Sequence, residues 1–189
     1  MYHPPAAAAF TRAAVLYIRG GMELPHNAGC LVCGRQNVHG LGLSLHAGEG
    51  GLVWTEFVPR PEHIGFEGII HGGLLATVLD EAMVWAATWA GKRFCVAGEM
   101  SVRFRRSAAV GRALRCEATV ESAASKRPGL PRLIHASGRI VEIDGGALVA
   151  EATGKYVPVS PERNRLVVAT LVEEPPTRQA ATVLKEAAT

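Results

Sequence analysis

From Gly72 to Ala90 the only polar side chains are Thr77, Asp80, Glu81 and Thr88. At ~100° per residue these four fall inside an arc of roughly 100°, and the rest of the circumference is apolar. The spacing predicts one long helix, opened by Gly72 and Gly73 and wrapped by protein over most of its surface. The segments on either side carry the period of strands instead. Residues 41–46 and 52–58 are short apolar-rich runs joined through Gly48, Gly50 and Gly51, as in a hairpin. Beyond the helix, Val96, Gly98, Met100, Val102 and Phe104 alternate with Glu99, Ser101, Arg103 and Arg105. Leu114, Cys116, Ala118 and Val120 likewise alternate with Arg115, Glu117, Thr119 and Glu121. A third run covers 133–143, Asp144-Gly145-Gly146 is a hairpin turn, and a last strand runs from Ala147 to about Val157, ahead of Pro158. The order is two strands, one long helix, then four strands. An antiparallel sheet of half-polar strands wrapped around one apolar helix satisfies both periods, and gives a single α+β domain.

The apolar run is long enough to span a membrane, but Asp80 and Glu81 near its middle would each add an insertion cost of about 2.5–3.5 kcal/mol. No membrane span is expected. On a wrapped helix, two adjacent carboxylates are costly to bury unless they are partnered or used. Gly72 and Gly73 are poor helix formers, and their missing side chains suit backbone that must approach another group closely. Free N–H groups at a helix start, with the positive end of its dipole, hold a developing anion. An anion hole at one end and a carboxylate about two turns further on make the elements of a hydrolytic site for an acyl group.

His71-Gly72-Gly73, followed by Asp80 nine residues after the histidine, resembles the signature of hotdog-fold acyl-CoA thioesterases of the phenylacetate-pathway (PaaI-like) type, in the thioesterase superfamily. The upstream segment Cys30-Leu31-Val32-Cys33-Gly34-Arg35-Gln36-Asn37, leading into Gly40-Leu41-Gly42-Leu43, is similar to the opening of one subgroup of that family. Glu99-Met100-Ser101-Val102-Arg103-Phe104-Arg105-Arg106 is similar to the strand that follows its central helix. The resemblance covers about residues 28 to 159. It implies a hotdog fold, a homodimer or dimer of dimers with each site between two subunits, an acyl-CoA substrate, and no cofactor. By the same resemblance, Asp80 of one subunit acts as general base on water or as nucleophile. The N–H of Gly72, with Gly73 beside it, holds the oxyanion.

Glu81 is the reserve carboxylate. His71 hydrogen-bonds across the helix start, in a structural or a catalytic role; His63 is a solvated loop residue or lines the acyl pocket. His135, in a strand, is read as structural. No Ser–His–Asp or Cys–His arrangement can be placed, and no G-x-S-x-G occurs. Two positions depart from the family: Gly65 stands where relatives often carry Asn or Gln, and Ala97 where they often carry Thr or Ser. These departures keep open a second class of function, a hotdog protein that binds acyl-CoA or a carrier-bound acyl group without hydrolysing it.

Composition and charge refine this picture. Hydrophobic content of 48% is ample for one core. Residues 1–27, with Pro4, Pro5, an alanine run and Gly20-Gly21, read as an N-terminal extension; 28–159 as the domain; and 160–189, with Pro161, Pro175 and Pro176, as a tail with a helical turn or two. Arg12 breaks the apolar stretch near the start, so no signal peptide is read. The four cysteines then point to free thiols in a reducing cytoplasm. Cys95 and Cys116 are read as small core residues. Zinc at Cys30 and Cys33 would need two more ligands, with His26 and His39 the only near candidates. The pair is therefore read as a structural loop ahead of a metal site, and as a metal site ahead of a redox pair; no metal is expected.

The net charge is +3, but residues 92–139 hold eleven Lys/Arg against three Glu, a surplus of +8, while the rest of the chain carries −5. No aromatic-and-basic stacking motif appears, and Phe104 falls on the apolar side of its strand, so nucleic acid is set aside. A ligand with several phosphates, such as coenzyme A, suits the local surplus, with Arg103, Arg105, Arg106, Lys126 and Arg127 as candidates.

Overall fold

The apolar run forms α1, Gly72–Gly91, in a computed structural model that describes residues 21–124 and 133–189. Before it come β1 (Met22–Glu23), β2 (His26–Asn27), β3 (His46–Ala47), β4 (Val53–Phe57), β5 (Ile64–Phe66) and β6 (Ile69–Ile70). After it come β7 (Cys95–Phe104), β8 (Leu114–Ala124), β9 (Leu133–Glu142), β10 (Leu148–Pro158), α2 (Pro161–Ala169), β11 (Leu171–Val172) and α3 (Arg178–Glu186). Seven of the strands make one antiparallel sheet in the order β1-β3-β4-β8-β9-β10-β7. The sheet curls around α1, which packs against β4, β7, β8, β9 and β10. This is the α+β architecture that the two periods predict, and the hotdog fold that the resemblance implies.

The helix is held by its repeat. Val78, Leu79, Ala82, Met83, Ala86 and Ala87 have no exposed surface, and their spacing of three and four residues puts them on one broad face. Under that face lies Gly138 of β9. A Cβ there would stand 3.2 Å from Leu79 Cδ2, Met83 Cγ and the carbonyl oxygen of Glu117. The absent side chain lets helix and sheet approach. Between β9 and β10, Gly145 and Gly146 take φ of 88° and 65°, the positive values that a two-glycine hairpin turn uses.

The structure differs from expectation in four places. Of the strand expected at 41–46, only His46 pairs, with Trp54, and Ala47 extends the pairing to Val53. Leu41 and Leu43 instead donate backbone N–H to the carbonyls of Leu31 and Val32. In β7 the expected apolar face is largely open, with Val96 and Phe104 each 55% exposed, because this strand ends the sheet and no strand among the described residues covers it. Phe104 is thus not a core residue. The segment read as a tail forms two helices. Ser160 caps α2 by accepting from Arg163 N, with Pro161 in the first turn, Asn164 Oδ1 accepts from Phe94 N at 2.9 Å, and Ala180 and Leu184 of α3 join the core. At the other end, β1 joins the sheet through β3 and β2 pairs with β11, so residues 22–27 are tied to the domain.

No helix among the described residues is long and apolar enough to cross a membrane. Replacing Gly138 by Val should lower the unfolding free energy by about 1–3 kcal/mol through overpacking against α1. A fall of the urea midpoint with unchanged slope measures this; a midpoint equal to wild type would mean that α1 does not seat there.

Candidate active site

α1 starts at a histidine. His71, with φ −64° and ψ 128°, is the N-cap, and its Nδ1 accepts from Gly73 N at 2.9 Å. Its own N–H donates to His63 O at 2.9 Å, which fixes the turn that leads into the helix. The Gly73 amide is therefore occupied by the cap. The Gly72 amide, one of the donors that a helix start leaves without an intrahelical partner, has no acceptor among the described residues. A Cβ on Gly72 would stand 3.3 Å from the Phe104 ring, so the exposed Phe104 lies across the helix start. At Gly65 a Cβ would meet His71 Cα at 3.0 Å and its ring at 3.2 Å. The first departure from the family is thus tied to the capping histidine: a larger residue at 65 requires His71 to shift.

Asp80 is half-buried, and its Oδ1 accepts from the Tyr156 hydroxyl at 3.1 Å. Burial raises its carboxyl above the usual range, and the tyrosine hydrogen bond offsets part of that. Tyr156, on β10, has no exposed surface. Burial first, and then the Asp80 charge, push its phenol up, which keeps it a proton donor to the carboxylate. The ring has room because residue 154 is glycine, where a Cβ would stand 2.7 Å from Tyr156 Cε2. The sequence reading missed Tyr156; the signal available was Gly154-x-Tyr156, a gap beside a large polar-tipped ring on the face of the strand that also carries Ala150 and Ala152. Ala97, the second departure, is the register partner of Tyr156 across β7 and β10.

Glu81, one residue on, has different neighbours. Its Oε1 accepts from Trp85 Nε1 at 3.1 Å, and Cys30 Sγ lies 3.8 and 4.0 Å from its two oxygens. Burial pushes its carboxyl up to about 7, and the charge on Cys30 adds to the rise. Cys30 is lowered to about 5, chiefly by the hydrogen bond it accepts from the Cys33 thiol; burial opposes this, and the amides of Cys33, Val32 and Gly34 assist it. Cys33, the donor of the pair, is pushed up. Cys95 and Cys116 are buried, as expected, and all four cysteines are free.

His63 is half-buried, and its Nδ1 accepts from Arg60 N at 3.1 Å. Burial and then the Arg60 charge lower its pKa. Of the basic candidates, Arg105 pairs with Glu151, with Nε at 3.0 Å from Oε1. Arg103 and Arg106 are exposed, at the end of β7 and just past it. Lys126 and Arg127 lie outside the described residues. Two further members of the basic segment are committed elsewhere: buried Arg115 bonds Glu117 at 2.8 Å and Glu56 at 2.9 Å, and Arg139 bonds the other oxygen of Glu117 at 2.8 Å.

The profile of the Thioesterase superfamily matches residues 67–127, a stretch that includes β6, α1, β7 and β8. Among solved structures, a thioesterase superfamily protein is 23% identical with a TM-score of 0.61; the alignment covers 68% of this chain and 60% of that one, so the chain spans less than two thirds of its length. The E. coli PaaI protein of the phenylacetic acid degradation operon is 21% identical, TM-score 0.55, over 64% of this chain and 81% of its own. A phenylacetic acid degradation-related protein from Ralstonia eutropha is 26% identical, TM-score 0.51, over 62% and 85%. None of the curated proteins matches the sequence. These likenesses establish the shared fold and bear out the resemblance read from the histidine–glycine–glycine segment.

Replacing Tyr156 by Phe should cost about 1–3 kcal/mol of stability, since it leaves a buried carboxylate without its donor. Urea unfolding of Tyr156→Phe beside wild type measures this; equal midpoints would mean that the contact carries no energy.

Proposed function

We propose that this hotdog protein, with the helix-and-strand segment of the thioesterase superfamily, hydrolyses the thioester of acyl-coenzyme A. The observation that carries this reading is Asp80, held by Tyr156 on the wrapped helix whose first amide, Gly72 N–H, has no acceptor among the described residues. Asp80 takes a proton from water as the water oxygen bonds to the thioester carbon, and the carbonyl oxygen becomes an anion. The anion is met by an amide N–H at a helix start, where preorganised donors are worth most. As the carbon–sulfur bond breaks, the coenzyme thiolate takes the proton from Asp80, leaving a carboxylic acid and free coenzyme A. Attack by Asp80 itself as nucleophile leads to the same products through an anhydride. Of the two adjacent acids, Asp80 suits this role better, because Glu81 is already engaged by Trp85 and faces the Cys30 sulfur.

Gly72 and Asp80 of one chain stand roughly 12 Å apart along the helix axis, at 1.5 Å per residue. That is too far for both to act on one carbonyl. The reading therefore pairs Asp80 of one protomer with the partner subunit's Gly72 in a homodimer or a dimer of dimers. The edge position of β7 and its exposed Val96 and Phe104 support such pairing, since an open edge strand is a template for another. Four free thiols suit a cytoplasmic setting.

Asp80→Asn keeps the shape and removes the base, so kcat on a panel of acyl-CoAs should fall by about 10²–10⁴-fold. Hydrolysis by Asp80→Asn at wild-type rates would exclude the assignment, and Glu81→Gln, measured in parallel, should fall by less. A second reading, a protein that binds acyl-CoA without hydrolysing it, is favoured by Gly65 and Ala97, which leave no polar side chain at either departure. Thermal stabilisation by acyl-CoA with no thiol release from any acyl length would select it.

In the same proposal Arg103, Arg106, Lys126 and Arg127 contact the coenzyme phosphates, and Arg105, paired with Glu151, contributes less. Such contacts are remote from the reacting carbon and bind ground and transition states alike. Replacing Arg103 and Arg106 together by Ala should raise KM several-fold with little change in kcat. The effect should shrink with added salt, because exposed charges are screened within ~10 Å at 0.1 M. An acyl-pantetheine, lacking the nucleotide, should be indifferent; equal losses on both substrates would assign these arginines to the fold or the dimer.

A further inference from the structure

Cys30, Cys33 and Glu81 each bring one ligand atom to within 4.8 Å of the others. The cysteines come from the loop after β2 and the carboxylate from the middle of α1, fifty-one residues beyond Cys30. Three features set this cluster apart from a loop that is merely buried.

The first is the way the loop presents its sulfurs. Val32 N–H donates to Cys30 Sγ at 3.4 Å, and Cys30 N–H donates to Asn27 O at 3.0 Å. The chain turns back tightly to achieve this, with Gly34 N bonded to Cys30 O at 3.1 Å. A Cβ at residue 34 would stand 2.4 Å from that oxygen and 2.6 Å from Ala28 O and Cys30 N. The loop closes only with glycine there. The turn places both sulfurs on one side of the loop, within reach of Glu81.

The second is the company of the acid. Glu81 has no Lys or Arg partner among the described residues; its contacts are Trp85 Nε1 and the two thiols. A carboxylate half-buried against two sulfurs has, among the described residues, no cation of the kind that ordinarily offsets such burial.

The third is spacing. Ligands of a tetrahedral zinc ion, at Zn–S about 2.3 Å and Zn–O about 2.0–2.2 Å, lie about 3.5–3.8 Å from one another. Cys30 Sγ lies 3.8 and 4.0 Å from the Glu81 oxygens. These three protein ligands leave the fourth position of a tetrahedral ion to water or another small ligand.

We propose that Cys30, Cys33 and Glu81 bind a divalent zinc-class cation, which clasps the loop after β2 onto α1 one residue from Asp80. Two thiolates with one carboxylate select such a borderline-soft ion over magnesium or calcium, which prefer oxygen-only sets. The site stands independently of thioester hydrolysis, and it accounts for a C-x-x-C pair and a second half-buried acid that the proposed reaction does not use. As a ligand, Glu81 holds the loop rather than moving a proton.

The test uses the full chain, purified without chelator and dialysed against metal-free buffer. Elemental analysis should find about one zinc per chain, the number that a single tetrahedral site holds. The chelator-treated chain, shown by circular dichroism to remain folded, should develop a thiolate-to-cobalt charge-transfer band on titration with cobalt(II), and zinc should displace it. The band should be lost in Cys30→Ser and in Cys33→Ser. In Glu81→Gln it should persist with weaker zinc binding, by at least the roughly 10–100-fold that losing an outer-shell partner costs. Zinc-free wild-type protein that is folded and gives no cobalt band overturns the proposal. A band that survives both serine variants overturns it, and so does closure of Cys30 and Cys33 to a disulfide under a mild thiol oxidant in a chain that never held metal.

Discussion

Val78, Leu79, Ala82, Met83 and Ala86 have no exposed surface, so α1 exists only inside the sheet that encloses it. A helix with so narrow a polar stripe gains little from water on any side, and its stability comes from the five strands packed against it. That enclosure dictates where the small residues fall. Gly138 lets the helix settle on β9, and Gly154 clears a space for the Tyr156 ring. It also means that every polar group on α1 must find a partner in the surrounding protein or pay for its burial.

The four polar residues of the helix meet that demand in different ways. Thr77 Oγ1 returns its hydroxyl to Gly73 O at 2.9 Å, and Thr88 Oγ1 accepts from Cys95 N at 3.3 Å, tying the helix to the strand that follows. Asp80 and Glu81 are adjacent in sequence but point about 100° apart around the axis. One is given a tyrosine hydroxyl on β10 and the other a tryptophan N–H and two sulfurs. Their chemistry diverges for that reason. A half-buried acid with one neutral donor suits proton transfer, whereas an acid set against thiols with no cation beside it among the described residues suits a metal.

The same economy governs the basic segment. Its surplus of +8 is a property of composition, but Arg115 and Arg139 are drawn into an ion-pair network with Glu117 and Glu56, and Arg115 also lies 4.4 Å above the Trp54 ring. Arg105 is paired with Glu151. Among the described candidates for phosphate contact, Arg103 and Arg106 keep their charge toward solvent. A count of charges along the chain overstates what is left for a ligand, because pairing across strands joins residues far apart in sequence.

The long helix, the strands that follow it, the hairpin at Gly145-Gly146 and the α+β class were legible along the chain, because hydrophobic period is a local property that burial enforces residue by residue. It also marked His71, Gly72 and Asp80, since a cap, a bare amide and a buried acid are each readable from neighbours along one helix. The short pairing of His46–Ala47, the open face of β7 and the packing of α2 and α3 against the domain were decided by tertiary structure, where which strand ends the sheet is settled by contacts distant in sequence. Tyr156 beside Asp80 and Glu81 beside Cys30 and Cys33 belong to the same class. A search for ligands near the cysteines along the chain reached His26 and His39; the acid that stands against them is brought there by the fold, because only enclosure of α1 places its middle turn over that loop.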